Sequence, residues 1–137
     1  TNDNQIYPGM LMDAMTRVLD DQAVVASDVG LCQMWARVYR RIATPESFMQ
    51  SGVWNAMSFG LPTAIVAKME FPQRDVIGLA GDGASLMTIG DLPTAAEAGS
   101  RWPRLALAAP KTGCPPRAAW MASVRFAFSS SVPRGRP

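Results

Sequence analysis

The chain has 137 residues, enough for one domain with a core of its own and short for a two-domain enzyme. Hydrophobic residues make up 48% and charged residues 18%, which argues against a disordered chain, and no apolar run reaches the roughly eighteen residues of a membrane span. A net charge of +2, no histidine, and two widely separated cysteines, Cys32 and Cys114, argue against a zinc site, a disulfide scaffold and the usual base of triad hydrolases.

The opening residues, TNDNQIYPGM, carry neither the basic nor the apolar stretch of an export signal, so a cytoplasmic location is expected. From Pro8 to Leu19 the apolar positions Leu11, Met12, Met15, Val18 and Leu19 fall at helical spacing, with proline near the first turn. AVVAS at 23–27 reads as a short buried strand that ends in Asp28-Val29-Gly30. Leu31 to Arg41 has a less regular pattern, and Thr44-Pro45-Glu46 closes it as a turn. Between Trp54 and Met69 the only charge is Lys68, which suits a helix buried on most sides. Gly60 and Pro62 predict an irregular start that becomes regular near Pro62.

Val76 to Ala80 reads as a second buried strand, stopped by Gly81-Asp82-Gly83. Ligands of open α/β sheets bind at the carboxyl ends of strands, and glycines there let backbone approach closely. An aspartate at such an end repels a bare phosphate, so a cation is expected between them. Ala84 to Ile89 can start a helical turn, Asp91 looks like the cap of a helix reaching Ala98, and Gly99 is a natural stop. RLALAA at 104–109 reads as a third strand. This alternation predicts an α/β fold, a partial doubly wound parallel sheet.

The charge is unevenly spread. Residues 1–100 hold six Lys/Arg against eleven Asp/Glu, whereas residues 101–137 hold seven Lys/Arg, no acid and six of the eleven prolines. Such a shift marks a boundary, with residues 1–100 as the domain and 101–137 as an irregular basic tail. The tail's composition is that of GC-rich DNA read out of frame, so a frameshifted or disordered segment is expected. Trp120, Phe126 and Phe128 among Arg117 and Arg125 raise the reading of a nucleic-acid arm, which is set aside because no binding module precedes it.

Three segments carry a family resemblance: SDVGLCQMWARVY at 27–39, SGVWNAMSFGLPTAIVAK at 51–68 and VIGLAGDGASLM at 76–87, followed by a helix. In this order and spacing they resemble the carboxyl-terminal cofactor-binding domain of thiamine-diphosphate-dependent enzymes, the group of acetolactate synthase, pyruvate oxidase and 2-oxo acid decarboxylases. The likeness covers roughly residues 5–100. It implies thiamine diphosphate and Mg2+ as cofactors, with Asp82 as a metal ligand, a choice that agrees with the preference of magnesium for hard oxygen donors. Gly81, Gly83, Ala84 and Ser85 would place backbone N–H groups toward the diphosphate. Gly30, Leu31 and Cys32 would lie near the same group, although relatives more often carry polar residues at the last two positions. Asn55, where glycine is more usual, would offer its carbonyl to the aminopyrimidine, and Met57 would bend the cofactor. Read without the resemblance, Met57 is also a core filler, Cys32 an inert small residue and Asp28 a strand end or cap.

The resemblance further implies an Asn-Asn pair about two dozen residues after Gly83 that completes the metal site. The corresponding stretch, LALAAPKTG at 105–113, has none, and the asparagines of the chain are Asn2, Asn4 and Asn55. It also implies a glutamate on a separate pyrimidine-binding domain, supplied across a subunit interface, and no segment here resembles that domain. The expected function is therefore cofactor binding within an acetolactate synthase-like enzyme acting on 2-oxo acids, inactive without the missing domain or a partner copy. The alternative is a degenerate, non-catalytic fragment or a phosphate-binding α/β module without thiamine chemistry.

Overall fold

The computed structural model describes residues 7–97 and the backbone of 104–107 and 123–124. Two short apolar runs organise it. Strand β1, Val24–Ser27, and strand β3, Val76–Ala80, are buried at every position, which requires cover on both faces of the sheet. They pair in parallel, with Val24 opposite Val76 and Ser27 opposite Leu79. Strand β2, Phe48–Gln50, flanks β1 in parallel, and strand β4, Arg104–Leu107, flanks β3 in parallel. A two-residue strand β5, Ser123–Val124, adds an antiparallel edge, giving the order β2-β1-β3-β4-β5.

The period-two alternation of strands assigns each side chain to a layer. Val25, Ile77 and Leu79 face helix α1, Pro8–Val18, and helix α2, Leu31–Tyr39, in a cluster with Met12, Met15, Leu19, Cys32 and Ala36. Val24, Ala26 and Val76 face the opposite way, onto Ala64 and Ala67 of helix α3, Gly60–Glu70. Helices on both faces make this a doubly wound α/β sheet, as the alternation of elements predicts. Beyond β3 come helix α4, Asp82–Thr88, a 3-10 turn at Ile89–Asp91, and helix α5, Leu92–Glu97. Leu61 and Ile65 of α3 close a third cluster with Ala95 and Leu92 of α5.

Helix α3 starts at Gly60 and is regular from there, because Gly60 and Pro62 occupy its first turn, where a missing N–H costs nothing. Its one cation has a purpose. Buried Lys68 donates from Nζ to the carbonyls of Pro72 at 3.1 Å and Arg74 at 2.6 Å, fastening the end of α3 to the turn that enters β3. Helix α2 is a complete nine-residue helix where a less regular stretch is expected, and β2 was not anticipated. The third expected strand is present as β4. Residues 98–103, 108–122 and 125–137, which hold most of the expected basic tail and the remainder of the stretch expected to carry an asparagine pair, lie outside the described residues.

Candidate functional site

The carboxyl ends of β1 and β3 are neighbours, and each leads through an acid and a glycine into a helix. After β3, Gly81 precedes α4 and accepts at its carbonyl from the Ser85 amide at 3.0 Å and the Ser85 hydroxyl at 2.8 Å. The amides of Asp82, Gly83 and Ala84 come before that first helical bond and so have no intrahelical acceptor. Asp82 is exposed, and its carboxylate has no hydrogen bond or ion pair among the described residues. After β1, Gly30 precedes α2 with φ at 137°, a conformation that glycine adopts without strain. The amides of Gln33 and Met34 close back onto its carbonyl at 3.1 and 3.4 Å.

The loop 51–59 between β2 and α3 is fastened at both ends. Buried Ser51 accepts from the Ala56 amide at 2.9 Å. At the other end, the Asp28 carboxylate, 0% exposed, accepts from the amides of Ser58 at 2.9 Å and Gly60 at 2.8 Å, and from its neighbour Val29 at 2.8 Å. Asn55 and Ser58 lie in the left-handed region, with φ of 44° and 73°, which gives the loop its tight reversals. Gly60 passes so close to Asp28 that a Cβ would sit 2.9 Å from the Asp28 amide nitrogen, so no larger residue fits there without a shift.

These anchors place the loop against α4. Met57 is 51% exposed, which removes it from the core, and its Cε lies 3.8 Å from where a Cβ on Gly83 would be. The sulfur of Cys32 is buried and donates to the Asp28 carbonyl at 3.6 Å, and the Gly81 amide lies close enough to act on the thiol's ionisation. The three segments singled out in the sequence thus converge. Of the residues expected to bind a cofactor, Gly30, Leu31, Asn55, Met57, Asp82 and Gly83 are exposed. Gly81 is half-buried, while Cys32, Ala84 and Ser85 are buried. The side chains of Cys32 and Ser85 are committed to internal partners, and the Ser85 amide is committed as well, to the Gly81 carbonyl. Burial pushes the Cys32 thiol up from its ordinary value, with the nearby Asp28 charge adding to that and neighbouring amides opposing it. Its burial and its bond to the Asp28 carbonyl are compatible with the sequence reading of a small inert residue with no His to pair with.

An anionic ligand bridged by a cation fits this arrangement. Asp82 supplies an unpaired hard oxygen, Gly83 leaves room beside Met57, and the free amides of the first turn of α4 add donors. No cluster of three or more His, Cys, Asp or Glu exists among the described residues, so water and ligand oxygens would complete the coordination shell of any ion at Asp82. Sequence reasoning missed the Asp28 clamp, whose signal is spread over thirty-two positions between Asp28 and Gly60. A separate apolar groove of about 440 Å³ between β2 and α3, lined by Met49, Val66 and Phe71 among others, shares no residue with this site.

Comparison with known proteins agrees with the convergence. Residues 28–102 match the family described as thiamine pyrophosphate enzyme, C-terminal TPP binding domain. The chain is 38% identical over 101 residues to a probable acetolactate synthase large subunit of Methanococcus aeolicus, covering 70% of this chain and 17% of that protein. It is 38% identical over 87 residues to the acetolactate synthase isozyme 1 large subunit of Escherichia coli K12, covering 64% and 16%. Against chloroplastic acetolactate synthase 2 of Brassica napus the identity is 34% over 90 residues, covering 66% and 14%. The chain therefore spans about a sixth of the length of these relatives.

Proposed function

The chain belongs to the thiamine pyrophosphate enzymes, through their carboxyl-terminal cofactor-binding domain, and from that premise we propose that it binds thiamine diphosphate with Mg2+ as part of an acetolactate synthase-like enzyme acting on 2-oxo acids. The observation that carries this reading is the approach of Met57 to Gly83, its Cε 3.8 Å from where a Cβ there would be, which brings two of the sequence segments together at the carboxyl end of β3, beside an unpaired Asp82. In this reading Asp82 holds the metal, Gly81, Gly83 and Ala84 offer backbone to the diphosphate, and Ser85, whose amide and hydroxyl both bond the Gly81 carbonyl, holds the turn that presents them. Gly30, Leu31 and Cys32 lie along its other side. Asn55 presents its carbonyl, and Met57 supplies the apolar edge that shapes the ligand.

The cofactor, when bound, supplies the electron sink for breaking the carbon–carbon bond of a 2-oxo acid. The residues of this chain bind and orient it and keep water from one of its faces. The resemblance to thiamine enzymes implies that the proton-transfer glutamate lies on a separate pyrimidine-binding domain, and this agrees with Asp28, the buried acid nearest the site, having its carboxylate committed to three amides. This chain alone is accordingly inactive in the proposal. The large exposed apolar residues of the loop, Val53 at 95% and Trp54 at 91%, support a surface that a pyrimidine-binding domain or a second copy covers. We further propose residues 1–100 as the body of the domain and 101–137 as an atypical Arg/Pro-rich segment, on their opposite charge balance, although its Arg104–Leu107 stretch pairs with β3 in the same sheet.

Titration calorimetry of the 137-residue chain with thiamine diphosphate and MgCl2 tests the reading. A binding heat lost in Asp82→Ala supports it. No heat at millimolar ligand favours a degenerate module, and heat with simple nucleotides in place of thiamine diphosphate favours a general phosphate site.

A further inference from the structure

Asp28 is bonded to all three segments that form the site. Its amide donates to the Leu79 carbonyl at 2.7 Å, which ties it to β3 two residues before Gly81. Its own carbonyl accepts from the Cys32 thiol of α2 at 3.6 Å and from the Ser27 hydroxyl at 3.1 Å. Its carboxylate takes the amides of Val29, Ser58 and Gly60. A carboxylate removed from water in this way needs such donors, and each of them is a backbone group whose position the charge then fixes. One of the three, Ser58, belongs to the loop that carries Asn55 and Met57, a second, Gly60, is the first residue of α3 where that loop ends, and the third belongs to the turn that leads to Gly30.

We propose that Asp28 is a positioning residue of the cofactor site: its buried carboxylate sets the loop that carries Asn55 and Met57 relative to Gly83, and so sets the affinity of the site for thiamine diphosphate. The proposal rests on the cofactor reading above. Asp28 touches no ligand in this role and acts through the backbone of Ser58 and Gly60. The close approach of Gly60 to Asp28 is the complementary half of the device, because a side chain at 60 would push the loop off the carboxylate.

The test is amide hydrogen exchange, with binding calorimetry alongside, on the 137-residue chain. Asp28→Asn keeps the shape and one acceptor oxygen but turns an NH2 group toward an amide. Exchange at Ser58 and Gly60 is expected to accelerate by at least about tenfold, from the loss of a charge-assisted bond. Amides on the β1–β3 side of the sheet, such as Val24, which donates to the Asp75 carbonyl, and Leu79, should change by less than about twofold, since their bonds do not use the carboxylate. Thiamine diphosphate affinity measured with MgCl2 should fall about tenfold in parallel. Gly60→Ala, which leaves the charge in place, should reproduce the loop-selective acceleration and the weaker binding. Asp82→Ala should abolish binding while leaving Ser58 and Gly60 exchange unchanged. Acceleration spread evenly over the ladder, or loop-selective loosening with unchanged affinity, overturns the positioning role. Failure of the unaltered chain to bind overturns the cofactor reading instead, and is seen separately from the exchange result.

Discussion

At the scale of single residues, two acids at two strand ends have opposite fates. Asp28 is withdrawn from water and committed to three amides, whereas Asp82 is exposed and unpaired among the described residues. Removing a side chain without partners costs little, so Asp82→Ala should change thermal stability by no more than about 0.5 kcal/mol. In the proposed function, the same change removes the rise in melting temperature that thiamine diphosphate and Mg2+ give the unaltered chain, which differential scanning fluorimetry reads directly. Cys32 makes a second residue-level expectation. Its thiol is buried, and burial pushes its pKa up from the ordinary value, so iodoacetamide at pH 8 should leave Cys32 unmodified in the folded chain and label it after unfolding, as peptide mass spectrometry would show. The sign of the pH effect follows: the folded state holds this proton more tightly than the unfolded one. The thiol's contribution to stability is complete below the ordinary cysteine pKa and is lost as pH climbs from there toward the higher folded value.

At the scale of elements, α2 shows how far the sequence can be read. The residues it buries are Cys32, Gln33 and Ala36, small or polar, while Leu31, Met34, Val38 and Tyr39 point outward. Leu31, Met34, Trp35, Val38 and Tyr39 do fall at helical spacing, so the helix was legible in the sequence and its reading as less regular was too cautious; what the pattern hides is that this apolar stripe lies mostly on the exposed face. Strand β2 escaped notice because three half-buried residues are too few to show a period of two. By contrast β1 and β3, closed by Asp28-Val29-Gly30 and Gly81-Asp82-Gly83, are legible because a fully buried run stopped by turn residues has few other readings. The place of Asp82 at a strand end was readable for the same reason. The clamp at Asp28 was not, since its partners are set by the fold of a loop thirty residues away. The outward face of α2 yields a paired prediction. Leu61, 1% exposed between α3 and α5, should cost about 2–5 kcal/mol on truncation to alanine. Leu31→Ala should stay within about 0.5 kcal/mol, because half of that side chain is already in water. Urea denaturation of both variants distinguishes the two faces.

At the scale of the whole molecule, the sheet order places the segment just past the charge boundary inside the fold. Strand β4 comes from Arg104–Leu107 and covers one edge of β3, whose five residues are all buried. A chain shortened to end at Ser100 should therefore leave a bare apolar strand edge and self-associate, whereas the full chain should not form that contact. Sedimentation velocity at matched concentrations checks this, and an equally monomeric short chain would count against a structural part for β4. The same order also bears on how the protein is made. The strand that emerges first, β1, lies between β2 and β3, and Val24 meets Val76 only after fifty-two further residues have been added. At a synthesis rate of roughly 5–20 residues per second, Val24–Ser27 waits about 3–10 seconds without its central neighbour. During that interval the nascent chain exposes an unpaired apolar strand, which makes the ribosome-bound stage, more than the finished fold, the point at which this protein most needs a chaperone.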